Sequence, residues 1–183
     1  LWGKTAALPG SSDEYAVPAE ELLHANFKDF HDDILIVSTT EKSVSSRAGH
    51  ALMEANPYAE ARYAQANARL STLLDALRAG DLETFGEIAE DEALALHALM
   101  MCSKPSYLLM NPNTVALIEK IRAYRYETKQ PVYFSLDAGP NIHLLYPGSI
   151  ISEVRGWIEE ELKEHCVDGW YIQDWVGEGP EEL

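Results

Sequence analysis

Positive charge is scarce in this sequence. Only 14 lysine and arginine residues stand against 30 aspartate and glutamate residues, a formal net charge of −16. Such a surface repels phosphate backbones and anionic lipid, which argues against nucleic acid and membrane surfaces as partners. Any anionic ligand must be held by a local cluster of donors working against the global field. Cysteine is scarcer still: Cys102 and Cys166 lie in separate apolar patterns with no CxxC spacing, so both read as inert core thiols and the expected compartment is a reducing cytoplasm.

Other absences narrow the chemistry. No apolar run approaches the ~18 residues of a membrane-spanning helix, and the N-terminus lacks the basic-then-apolar pattern of a signal peptide. His24, His31, His50, His97, His143 and His165 form no HExxH and no comparable ligand pair, so no metal site is assigned. Neither GxxxxGK[ST] nor a strand-linked GxGxxG occurs, and the closing "VGEGP" is too short to cradle a phosphate.

What is present suffices for a packed domain: 183 residues, 46% of them hydrophobic. The chain opens at Leu1 in "LWGKTAALPG" without a start methionine, and the expectation is a piece of a longer polypeptide. Residues 1–30 are turn-rich and read as a connecting segment, with residues 31–183 as the domain proper. The β-branched run Ile34 to Val37 predicts a buried strand. Helical patterns follow near Pro57 to Leu77, capped by Gly80, over Leu82 to Met101, and over Thr114 to Tyr126 after the N-cap signal "NPN". "PVYFSLDAGPNIHLLYP" reads as a hairpin with Gly139 and Pro140 at its tip. A helix from Ser149 to His165 and a last strand in "DGWYIQDWVGEGP" complete the order. Strand, helices, strand, strand, helix, strand is a split β-α-β arrangement with extra helices in the first crossover: an α+β, ferredoxin-like fold.

Two stretches carry candidate chemistry. "SVSSRAG", Ser43 to Gly49, sets three hydroxyls and a guanidinium before a helical pattern, a composition that serves either an N-capped loop or an anion site. Asp137 sits where a strand ends and the backbone turns. It serves either as a hairpin corner or as a rigidly held, partly desolvated general base.

In order along the chain, "EYAVP", "ILIVSTTEKSVSSRAGHALM", "NPYAEARYAQA", "LETFGEIAEDEALALHALMM" with His97, and "YFSLDAGPNIHLLYP" resemble the C-terminal half of the diphosphomevalonate decarboxylase family, within the GHMP kinase superfamily. The "DAGPN" hairpin matches almost to the letter. The resemblance implies a GHMP kinase C-terminal domain, ATP and Mg2+ as cofactors bound mainly by an N-terminal GHMP domain that does not precede Leu1, and mevalonate 5-diphosphate as substrate. It further implies Asp137 as the catalytic carboxylate at the 3-hydroxyl, and Ser45, Ser46, Arg47 and Ala138 as substrate contacts. The segment alone is expected to be inactive. His50 stands where the family usually has Met, which keeps mevalonate 5-phosphate open as a substrate. A non-catalytic ferredoxin-like module that binds a ligand or partner is the rival reading, and a homodimer is compatible with either.

Overall fold

The computed structural model describes residues 1–40, 52 and 56–177, and the chain divides into two compact units, Leu1–Phe27 with Val44–Leu108, and Lys28–Ser43 with Leu109–Leu183. The second unit holds the sheet. Among the described residues it has four strands in the order β2-β3-β1-β4, namely β1 (Phe30–Leu35), β2 (Tyr133–Leu136), β3 (Ile142–Pro147) and β4 (Tyr171–Ile172). Every pairing is antiparallel, with Phe30 opposite Pro147, Leu136 opposite Ile142, and Leu35 opposite Tyr171. This is the expected α+β, split β-α-β arrangement.

Alternation decides which face is core. Asp33, Leu35, Phe134, Leu136, Ile142, Leu144 and Tyr146 share one face and are at most 6% exposed. Two helices cover that face. Helix α3 (Pro112–Thr128) buries Leu117, Ile118 and Ile121, and its Arg122 lies over the Phe134 ring, 5.5 Å from the centroid. Helix α4 (Ile151–Trp157) buries Val154 and Trp157, and its Arg155 reaches Asp33 of β1. The Tyr124 and Trp157 rings stack at 4.0 Å and join the two helices.

In the first unit, α1 (Ala59–Ala79) and α2 (Leu82–Met101) form an antiparallel pair. Gly80 turns the corner at φ 75°, where a Cβ would meet the His24 ring at 2.3 Å, so glycine is required for both conformation and space. Asp81 then caps α2 by accepting the Thr84 amide at 3.0 Å. Arg69 ties the two helices together through Glu92 at 3.2 Å and Asp91 at 2.7 Å. Residues before Phe27 pack on this pair: the His24 amide donates to Leu77 O at 2.9 Å, and Phe27 meets Phe85 edge-on at 5.0 Å.

Three details differ from expectation. The strand predicted over Ile34 to Val37 runs instead over Phe30–Leu35, because His31 and Asp33 are buried polar residues that the apolar pattern hides. Ile36 and Val37 are still buried, but the Val37 and Ser38 amides are taken by the Asn141 side chain rather than by a neighbouring strand. The helix predicted over Ser149 to His165 is α-helical only to Trp157. It continues as a wide π-type turn over Ile158–Leu162 and a 3-10 turn over Lys163–His165, with Ile158 and Leu162 buried and Glu159 to Glu161 exposed.

Cys102 is the third. It caps α2 in an exposed position and is not a core thiol, whereas Cys166 is 8% exposed and burial pushes its thiol up to about 11. At pH 8 the thiolate fraction of Cys166 is on the order of 10⁻³. A thiol reagent is therefore expected to titrate one equivalent in the native chain, at Cys102, and a second only after unfolding; two fast equivalents in the native state would contradict this placement.

Among the described residues no helix is long and apolar enough to cross a membrane.

Candidate functional site

The hairpin between β2 and β3 sets Asp137 in place by holding everything around it. The link from Asp137 to Asn141 is five residues long, and four of its groups are fixed by hydrogen bonds. The Gly139 amide donates to the Asp137 carbonyl at 2.8 Å, closing a three-residue turn centred on Ala138. The Thr114 hydroxyl donates to the Pro140 carbonyl at 2.7 Å, and the Asn141 side-chain oxygen accepts the Val37 and Ser38 amides at 2.9 and 3.1 Å. Gly139 is buried, Ala138 and Pro140 half-buried, and Asp137 exposed. Both sequence readings of Asp137 anticipated its position at the strand end. The partial desolvation expected of it is not supplied by the described residues.

Thr114 reaches the hairpin because α3 starts where it does. Asn111 is the N-cap, accepting the Thr114 amide at 3.0 Å, and Thr114 returns the bond by accepting the Asn111 amide at 3.3 Å. The "NPN" signal in the sequence therefore fixes a residue that also serves the hairpin.

The face of the sheet opposite α3 and α4 carries a histidine–carboxylate contact that the sequence does not announce. His143 of β3 and Asp32 of β1 meet at 2.9 Å through His143 Nδ1. His31 lies on the other face, stacked on Tyr146 at 5.2 Å, with its Nε2 3.7 Å from Asp29. His97 is 2% exposed and Glu90 5% exposed within α2, so both are buried polar groups.

Beneath the hairpin sheet, Asp33 is the centre of a buried network. Its Oδ2 accepts the Tyr146 hydroxyl at 2.6 Å and Arg155 Nε at 3.2 Å, while Oδ1 accepts Arg155 Nη2 at 3.2 Å and the Asp174 amide at 3.3 Å. Burial, with Asp33 as acceptor and neighbouring charge, holds the Tyr146 phenol above its ordinary value. The Arg155 guanidinium is likewise pushed up, chiefly by its bonds to Asp33. The network locks β1, β3, α4 and the segment just after β4 into one frame for the hairpin.

Of the residues expected to bind substrate, only Ala138 lies among the described ones. Ser45, Ser46, Arg47 and His50, with the whole Ser43 to Gly49 loop, lie outside the described residues, as does the tail after residue 177. Among the described residues no group of three or more His, Cys, Asp or Glu side chains is placed to hold a metal ion.

Comparison with known proteins converges on one family. A model described as the mevalonate 5-diphosphate decarboxylase C-terminal domain matches residues 33–174. A phosphomevalonate decarboxylase of Haloferax volcanii is 31% identical over 156 residues, which make up 85% of this chain and 46% of that protein. The crystal structure of a mevalonate diphosphate decarboxylase from Legionella pneumophila aligns at a TM-score of 0.71 with 28% identity, covering 77% of this chain and 45% of that one. A structure described as MDDEF in complex with MVAPP, AMPPCP and magnesium aligns at 0.76 with 24% identity, covering 92% of this chain and 50% of that one, a likeness of fold. This chain spans less than half the length of the curated relatives it matches.

Proposed function

The chain belongs to the mevalonate 5-diphosphate decarboxylase C-terminal domain family, and from that membership we propose that it is the substrate-binding and catalytic part of an ATP-dependent decarboxylase converting mevalonate 5-diphosphate to isopentenyl diphosphate, ADP, phosphate and CO2. The observation that carries the proposal is the hairpin: an exposed carboxylate, Asp137, at the end of a strand whose turn is tied down on both sides. A carboxylate held this way can meet a substrate hydroxyl without first ordering its own backbone, which is the condition for an efficient general base. Asp137 orients the tertiary 3-hydroxyl and takes its proton, and Ala138 lines the same turn. Ser45, Ser46 and Arg47 supply hydroxyl and guanidinium donors for the substrate's anionic end.

ATP with Mg2+ supplies the phosphoryl group that makes the tertiary oxygen a leaving group. Both are proposed on the family and on the complex with AMPPCP and magnesium described above. Their binding residues are assigned to an N-terminal GHMP domain, in the part of the relatives that this chain does not span. The 183-residue segment by itself is accordingly expected to release no CO2. The compartment proposed is the cytoplasm.

A second reading has its own observation: the Haloferax volcanii relative, 31% identical, is a phosphomevalonate decarboxylase. Under that reading the substrate is mevalonate 5-phosphate, in keeping with His50 where the family usually has Met. ATP-dependent CO2 release by the complete polypeptide, assayed with both substrates in parallel, separates the two. Turnover of the diphosphate supports the first reading and turnover of the monophosphate alone supports the second. Turnover of neither removes both.

A further inference from the structure

We propose that Asn141 and Thr114 are positioning residues for the reaction, acting through Asp137, an inference that rests on the role given to Asp137 above. The hairpin link is short and lies at the surface, and a surface hairpin of this kind ordinarily needs only its own turn to hold it. This one has its own turn, from the Gly139 amide to the Asp137 carbonyl at 2.8 Å. It also has two external anchors from distant parts of the chain, 26 and 104 residues away in sequence.

The chemistry of each anchor is specific. A threonine hydroxyl has one proton to give. Thr114 has two acceptors in reach, Asn111 Oδ1 at 3.4 Å and Pro140 O at 2.7 Å, and the shorter and stronger bond is the one to the hairpin. Thr114 is itself 0% exposed, so this hydroxyl has no water to turn to. Asn141 uses both lone pairs of its side-chain oxygen, one for the Val37 amide and one for the Ser38 amide. The end of β1 and the end of the hairpin are thereby fixed to one another, and the start of α3 is fixed to the same five residues.

The result is a carboxylate with an immobilised base and an exposed head. General-base catalysis requires the accepting oxygen to be within hydrogen-bond reach of the proton, and a misplacement of about 1 Å can cost ~10²-fold in rate. The two anchors control that placement. Both are selective for acceptor or donor chemistry rather than for bulk: at position 141 an oxygen acceptor is needed, and at position 114 a hydroxyl.

Four variants of the complete enzyme test this, each assayed for kcat and KM with the substrate that it turns over, and for thermal unfolding. Asn141→Leu and Thr114→Val remove the anchoring groups at nearly constant volume. Asn141→Asp keeps two acceptor lone pairs and Thr114→Ser keeps the hydroxyl. The expected result is a ten- to hundredfold fall in kcat for Asn141→Leu and Thr114→Val, with KM within threefold of wild type, and recovery to within threefold in the Asp and Ser variants. If Asn141→Leu does not fold, Thr114→Val carries the test alone with the same expectation. Wild-type kcat per folded enzyme in Asn141→Leu or Thr114→Val, with only the melting temperature lowered, overturns the inference.

A double variant separates positioning from general damage. In an Asp137→Asn background, Thr114→Val is expected to lower the residual rate less than twofold, because the group it positions is gone; a further fall as large as in the wild-type background overturns the inference. Loss of activity in Asp137→Asn with normal kcat in the anchor variants would defeat the positioning role alone. Full activity in Asp137→Asn would instead defeat the reading on which it rests.

Discussion

Replacing Asp137 by Asn in the complete enzyme is expected to lower kcat for CO2 release by ~10²–10⁴-fold, the usual contribution of a positioned proton acceptor. Asn is close to isosteric with Asp but cannot take a proton, so the substitution removes the chemistry and leaves the shape. The hydrogen bonds that hold the turn do not use the Asp137 side chain. Asp137 is exposed, and the bonds that hold its turn use the Asp137 carbonyl, the Pro140 carbonyl and the Asn141 side chain, none of which the substitution alters. Melting temperature should stay within about 2 °C of wild type, which for a domain of this size is ~1 kcal/mol or less. A rate within tenfold of wild type, with folding unchanged, would reduce Asp137 to a turn residue and favour a non-catalytic ferredoxin-like module.

The second large effect is on stability. Asp33→Ala is expected to destabilise the chain by about 3–5 kcal/mol, since removing one partner of a buried ion pair strands the groups it served. Asp33 is 0% exposed, and four donors converge on it: the Tyr146 hydroxyl, Arg155 Nε and Nη2, and the Asp174 amide. Arg155 keeps a route to water at 24% exposure, which moderates its share, but the Tyr146 hydroxyl is wholly enclosed and loses its acceptor. Tyr146→Phe removes donor and demand together and should cost only about 1 kcal/mol. Urea unfolding of the chain checks both values. An Asp33→Ala variant within 1 kcal/mol of wild type would mean that the network is not what joins β1 to α4.

The contrast between these two aspartates shows what could be read in the sequence. Asp137 announces itself, because Asp-Ala-Gly-Pro-Asn after an apolar run is a turn whether or not it is anything more. Asp33 does not. In "HDDILIV" it reads as the polar edge of a strand starting later, and its partners Tyr146 and Arg155 stand 113 and 122 residues away. Helices were legible where local rules fix them: α2 spans Leu82–Met101 as its helical pattern predicts, and Gly80 ends α1 in the left-handed conformation. The split β-α-β arrangement was legible from the order of the elements. The departure of α4 into a π-type turn had no such local signal, since apolar spacing from Ile150 to Leu162 suits an ordinary helix equally well.

The candidate site was half legible for the same reason. Its candidate carboxylate, Asp137, lies in a recognisable turn, while Thr114 and Asn141 pass as an ordinary helix cap and an ordinary turn residue. Only their bonds across the fold, to Pro140 and to Val37 and Ser38, reveal a second use.

The most direct test of the central claim is a crystal structure of the complete enzyme with bound mevalonate 5-diphosphate, measured for one distance, from the Asp137 carboxylate to the substrate's 3-hydroxyl oxygen. The expected distance is within hydrogen-bond reach, about 2.6–3.2 Å. A substrate bound with that hydroxyl turned to another side chain, and Asp137 facing solvent, would contradict it.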